Sequence, residues 1–228
     1  FFSINALWKN KIAVLTGDFL LSRGLLLAVD NNEFELLKIV SEAVKEMSEG
    51  ELLHIQKSRT LDITEEEYFK IIRKKTATLI SACTEIGAVS GGASEEDVQL
   101  LKSFGEYLGM AFQIKDDLFD YEKINETGKP SGNDIKEKKL TLPLIYALNV
   151  CSNHEKRKIK RLIKSGKNNT GQIEEIVRFA KSKNGMVYSA NIMKEFKEKA
   201  KQIIIKFPDS PAKESLLALI NYIVNRKK

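Results

Sequence analysis

TEEEYFKIIRKKTATLISACTEIGAVSGGASEEDVQLLKSFGEYLGMAFQIKDDLFDY, residues 64–121, reads as two long helices and the turn between them. Apolar residues recur at steps of three and four throughout, the period of a helix with one buried face. Thr64 followed by Glu67 is a capping-box start, and the helix it opens runs to about Val89. Gly91-Gly92 ends that helix, and Ser94 with Asp97 starts another that reaches about Tyr121.

The same period continues in both directions. Helices are expected over 4–29 and 33–57 upstream and, beyond a polar loop, over 140–150, 153–165, 171–182 and 185–206. The last opens at Ser210-Pro211, with proline at the favoured first helical position, and ends near Asn225. Alternating strands are absent, and QIIIKF at 202–207 only continues a helical pattern from Met193. The fold class is all-α, a single-domain bundle of long helices.

The 228 residues suffice for a real core, and 43% hydrophobic with 30% charged residues excludes a disordered chain. The greasiest stretch, AVLTGDFLLSRGLLLAV, is broken by Asp18 and Arg23, which argues for a buried soluble helix and against a membrane span. FFSINALWKN has neither the basic start nor the cleavage site of a secretory signal, and no initiator Met, so the chain is expected to begin inside a longer protein. Cys83 and Cys151 read as free thiols in a cytoplasmic protein, and two distant histidines give a zinc site no support. From Cys151 to Phe207 there are 15 Lys and Arg against 5 Asp and Glu, a local net of +10. These lysines follow helical periodicity with little aromatic interleaving, so a solvated face is expected and not a nucleic-acid surface.

Within FQIKDDLFDY, Asp116 and Asp120 share a helix face and Asp117 flanks them. Like charges at this spacing cost a few tenths of a kcal/mol per pair on a bare helix, and far more if buried. A magnesium ion resolves the conflict, because it takes one or two carboxylates and leaves its other positions to water and substrate phosphates. A solvated acidic patch is the competing reading of DDxxD alone. Downstream, ETGKPSGNDIKEKKLTLPL combines turn-permitting Gly128 and Gly132 with Lys129 and Lys139, whose ammonium groups suit phosphate oxygens. Lys75-Thr76 offers another cation, or is one more exposed lysine after Arg73.

At these residues the sequence resembles the trans-isoprenyl diphosphate synthases, the polyprenyl synthetase family. FQIKDDLFDY is similar to the family's second aspartate-rich motif, and GKPSGNDIKEKKLTLPLIYAL to the loop and helix after it. KKTATLISACTEIGA resembles the helix with a diphosphate-binding Lys-Thr pair, and SINALWKNKIAVLTGDFLLSRG the stretch after the first aspartate-rich motif. That first motif is not among the 228 residues. The resemblance implies a bundle around a central cavity, of isoprenoid synthase type, with the domain spanning 1–228 but lacking its N-terminal helices. It implies Mg2+-dependent condensation of an allylic diphosphate with isopentenyl diphosphate to a medium- or long-chain polyprenyl (octaprenyl-like) diphosphate, by a homodimer.

Carried over by position, Asp116, Asp117 and Asp120 bind metal, directly or through water, and Lys75, Lys129 and Lys139 bind the allylic diphosphate. Thr76 and Gln113 stand beside the reacting carbons, and Asp134 holds the loop or a metal-bound water. Leu15, Phe19 and Leu20 are expected in ordinary core packing, with a tunnel lining as the other reading. With one aspartate motif, the 228-residue chain by itself is expected to turn over weakly or not at all. A terpene cyclase is disfavoured because NDIKEKKLT has Glu137 and Thr141 where that family's second metal motif needs a hydroxyl and a Glu. A non-catalytic regulatory subunit is the alternative, opposed by the intact DDxxD and both loop lysines.

Overall fold

The computed structural model describes residues 4–122, 132–165 and 170–226. Among these, the regular structure is helical throughout. The helices are α1 (Ile4–Asp30), α2 (Phe34–Thr60), α3 (Glu65–Ile72), α4 (Thr78–Ser90), α5 (Glu95–Phe119), α6 (Asn133–Lys136), α7 (Leu142–Val150), α8 (Asn153–Lys164), α9 (Thr170–Ser182), α10 (Gly185–Ile204) and α11 (Pro211–Asn225). A π-helical segment, Arg73–Ala77, joins α3 to α4. The chain divides into two compact units, Phe1–Glu42 and Ala43–Lys228, with α2 running from one into the other.

In the first unit α1 ends on Asn32, whose φ of 59° closes the turn while the Glu33 N–H donates to the Ala28 carbonyl at 2.8 Å. The expectation of core packing on α1 is corrected here. Leu15, Phe19 and Leu20 are 56%, 63% and 64% exposed, because two helical segments alone cannot enclose every face of an apolar helix. By length and composition the segment Asn10–Asp30 is apolar enough to cross a membrane, despite Asp18 and Arg23 within it.

The second unit is built on α5. Its approach to the α3–α4 rod is set by two glycines: a Cβ on Gly109 would lie 2.5 Å from Ala77 Cα, and one on Gly105 would lie 2.7 Å from Ser81 Cα. Only hydrogen at those positions lets the two helical rods touch backbone to backbone. Both predicted helix starts have the capping geometry read from sequence. Glu67 N–H donates to Thr64 Oγ1 at 3.2 Å and Thr64 N–H to Glu67 Oε2 at 2.9 Å; Asp97 N–H donates to Ser94 Oγ at 3.2 Å. Buried Tyr68, Ile72, Met110, Ile114, Leu118, Leu142, Ile145, Ile163 and Ile176 form a core from α3, α5 and α7 to α9. A smaller one joins Phe104 and Leu108 to Ile204 and Ile220 of α10 and α11. Each such aliphatic side chain contributes roughly 1.5–3 kcal/mol when fully buried. On α8 the apolar face, Ile159 and Ile163, is buried while Arg157, Lys158, Arg161 and Lys164 face solvent.

Two features depart from the predicted helices. The continuous helix over 64–89 contains the π segment, where both the N–H and the hydroxyl of Thr78 donate to the Arg73 carbonyl, five residues back. The polar loop contains the short α6, opened by Gly132 at φ 78°.

Candidate active site

The π turn changes the helical phase where Lys75 and Thr76 occur, and such turns concentrate at functional positions. Gly50 allows α2 to lie against it, since a Cβ there would meet Lys75 N at 2.8 Å. Across from it stands the last third of α5. Between them is a cavity of about 100 Å³. Lys75, Thr76, Gln113, Asp116, Asp117 and Lys139 line it, with Asp134, Tyr68 and His54; Ile63, Ile71, Ile72 and Leu140 supply apolar wall. Residues separated by more than sixty positions in sequence therefore share one chamber.

A hydrogen-bond relay fixes the polar wall. Thr76 Oγ1 donates to Gln113 Oε1 at 2.7 Å, Gln113 Nε2 donates to Asp117 Oδ1 at 2.8 Å, and the Tyr68 hydroxyl donates to Asp117 Oδ2 at 2.7 Å. Asp117 is 5% exposed. Burial pushes its pKa up to about 7; the Tyr68 and Gln113 bonds pull against that, while Asp134 and Asp116 add to it. Asp134 is pushed up to about 6, by burial first and then by Asp120. Carboxylates that raise one another's pKa make a site that gains by taking up a cation.

Asp120 does not line the cavity. Its Oδ1 accepts from Asn133 N–H at 2.8 Å and its Oδ2 from Asp134 N–H at 3.1 Å, and its carbonyl accepts from Gly132 N–H at 2.9 Å. Burial raises its pKa and these backbone donors oppose the rise. Its position makes it the anchor of α6, which in turn presents Asp134 and Lys139.

Lys75 pairs with Glu51 at 2.6 Å, and Lys139 with Glu137. Burial presses the Lys139 pKa down, but Glu137, Asp134 and Glu51 outweigh it and leave the group above its ordinary value. His54 is held near pKa 4 by burial and by Lys75 and Lys139, so it is a neutral neighbour at pH 7. Lys129 lies outside the described residues.

The sequence reading missed two residues. No local pattern ties Tyr68 to Asp117, 49 positions away. Arg226, just past α11, brings Nη2 to 3.5 Å from Asp116 Oδ1 and stacks its guanidinium over Phe112 at 4.2 Å and Phe119 at 5.3 Å. A lone arginine near the end of a basic chain carries no sequence signal of that contact.

The donor set fits magnesium. No group of three or more metal-ligating side chains among the described residues forms an all-protein cage. Asp116 presents a partly exposed carboxylate to the cavity beside Lys75 and Lys139, which suits an ion that draws its remaining ligands from water and phosphate.

Comparison with known proteins bears on this chamber. The sequence model of the family described as Polyprenyl synthetase matches residues 2–180. The octaprenyl diphosphate synthase of Escherichia coli (strain K12) is 32% identical over 225 residues, covering 98% of this chain and 69% of that protein. The crystal structure of a decaprenyl diphosphate synthase from Rhodobacter capsulatus superposes with a TM-score of 0.91 at 36% identity, over 98% of this chain and 69% of that one. A polyprenyl synthase from Caulobacter crescentus CB15, complexed with calcium and isoprenyl diphosphate, gives a TM-score of 0.89 at 31% identity, with the same coverages.

Proposed function

The chain belongs to the polyprenyl synthetase family, and from that premise we propose how its residues carry out trans-prenyl transfer. The enzyme is of the polyprenyl diphosphate synthase type. An allylic diphosphate is joined to isopentenyl diphosphate, diphosphate is released, and a polyprenyl diphosphate results. The observation that carries the assignment of roles is the convergence of Lys75, Thr76, Gln113, Asp116, Asp117 and Lys139 on one cavity.

In this reading Lys75 and Lys139 exchange their carboxylate partners for the oxygens of the allylic diphosphate, and Lys129 joins them. Asp116 would be the main residue holding magnesium, with Asp117 and Asp120 completing its surroundings directly or through water. Magnesium there supplies electrostatic stabilisation of the charge that develops on the leaving diphosphate. Ionisation leaves an allylic cation, which the double bond of isopentenyl diphosphate attacks before a proton is lost. Thr76 and Gln113, locked together at 2.7 Å, place hydroxyl and amide oxygens beside those carbons to steady the cation or receive the proton. The apolar wall of Ile63, Ile71, Ile72 and Leu140 keeps water away from it. Support for a divalent metal ion at the site comes from the Caulobacter relative, whose structure is complexed with calcium and isoprenyl diphosphate.

A single polyprenyl synthetase domain, a homodimeric assembly and a cytoplasmic location belong to the same reading, as does a medium- or long-chain product. The test is magnesium-dependent incorporation of labelled isopentenyl diphosphate by the reading frame that contains this chain, with Asp116→Ala alongside. Incorporation that survives Asp116→Ala would remove the metal role; none from the parent protein would turn the assignment toward a regulatory subunit.

A further inference from the structure

We propose that Lys138 and Arg59 form a capture subsite for a diphosphate group at the mouth of the active site. The inference rests on the prenyl-transfer reading, because the group captured is the substrate's diphosphate.

A second cavity, of about 450 Å³, adjoins the first: His54 and Lys139 line both, while Arg59 and Lys138 line the outer one alone. Two carboxylates, Glu51 and Glu137, also face it, but each is already ion-paired, to Lys75 and Lys139 respectively. The side chains of Lys138 and Arg59 have no ion-pair partner among the described residues. The outer cavity therefore has uncompensated positive charge at its rim, in continuity with the inner site.

The backbone supplies an independent argument. α6 ends in a Schellman closure, with Lys138 N–H donating to Ile135 O at 3.0 Å and Lys139 N–H to Asp134 O at 2.8 Å. That geometry puts Lys138 at φ 59°, the left-handed position where glycine is the usual occupant and a Cβ is disfavoured. Among the described residues no hydrogen bond or ion pair of the side chain calls for a lysine at this half-buried turn. Strain of this kind gathers at functional sites. The same closure sends two adjacent ammonium groups to different duties: Lys139 reaches the inner chamber, and Lys138 serves only the outer one. A diphosphate approaching from solvent meets Lys138 and Arg59 first and passes inward to Lys75 and Lys139, a short electrostatic funnel.

The experiment is stopped-flow and equilibrium binding of an allylic diphosphate, with magnesium, to the parent protein and to Lys138→Gly, Lys138→Asn, Arg59→Gln and Lys139→Ala. The first three are expected to weaken binding about fivefold each, chiefly through association, and to flatten its salt dependence. Asn tolerates the left-handed conformation and Gly relieves it, so both variants fold, and Lys138→Gly melts higher than the parent. Parent-like binding by Lys138→Gly and Arg59→Gln, with binding lost in Lys139→Ala, overturns the capture subsite and leaves the inner site standing. If the parent does not bind, or Lys139→Ala binds like the parent, the inner site fails and the capture subsite with it.

Discussion

Tyr68 and Asp117, 49 residues apart, meet in the core through a 2.7 Å hydrogen bond from the phenol to Oδ2. With the Gln113 bond to Oδ1, both oxygens of a carboxylate that is only 5% exposed are satisfied from different elements. The pairing ties α3 to the end of α5 at the point where the aspartates begin.

Tyr68→Phe removes that donor and leaves the ring. Unfolding by denaturant should show a loss of about 1.5–3 kcal/mol above neutral pH, where Asp117 is ionised. The loss should shrink at mildly acidic pH, where the carboxyl is protonated in the fold. Equal losses at both would mean that the bond does not favour the charged form.

The pH dependence of stability follows chiefly from three groups, and Asp120, also raised by burial, adds to the first two. Asp117 and Asp134 have folded pKa values raised to about 7 and about 6, so between their unfolded values and these the folded state holds more protons. Their contribution is complete below the unfolded carboxylate range, about pH 4, and is lost as pH rises through about 6 to 7. His54, lowered to about 4, runs the other way: its contribution is present above about pH 6.5 and lost on acidification toward 4. Two groups outweigh one, so without magnesium the melting temperature should fall between about pH 5 and pH 8. Millimolar magnesium should flatten that fall by favouring ionised carboxylates. His54→Gln should steepen the parent slope.

Gly109→Ala tests the backbone contact. The new Cβ would sit 2.5 Å from Ala77 Cα, forcing α5 away from the π segment. A loss of about 1–3 kcal/mol is expected, with binding of an allylic diphosphate impaired because the Thr76–Gln113 bond moves. Gly87→Ala is the control. Its Cβ would meet nothing within 4 Å, so stability should rise by roughly 0.5–1 kcal/mol.

Arg226→Ala removes a guanidinium whose side chain is 12% exposed and which lies over Phe112 and Phe119. Hydrogen exchange should quicken at the end of α11, and stability should drop by about 1–2 kcal/mol. Arg226→Lys should restore little, because an ammonium cannot stack on both rings.

The two helices opened by Thr64 and Ser94 were legible because capping and a period of 3.6 are local, written within a few residues of where they act. Spacing put Asp116 and Asp117 on the decisive helix for the same reason. The π turn was not legible: RKKTA has ordinary helix formers, and the register change depends on a threonine hydroxyl finding a carbonyl five residues back. On α1, periodicity correctly announced a helix with an apolar surface but said nothing about what surrounds it, and Leu15, Phe19 and Leu20 are exposed.

By itself the sequence determined the helical class, the helix starts and which residue types bear the chemistry, since each rests on interactions between near neighbours. Only the tertiary structure decided what those residues do for one another. It turned Asp120 toward the backbone of Asn133 and Asp134, buried Asp117 under Tyr68, and carried Arg226 across 110 positions to Asp116. Each of these depends on how closely two rods can approach and how much water is left between them. Those quantities arise only when distant glycines, aromatics and carboxylates are packed into the same space.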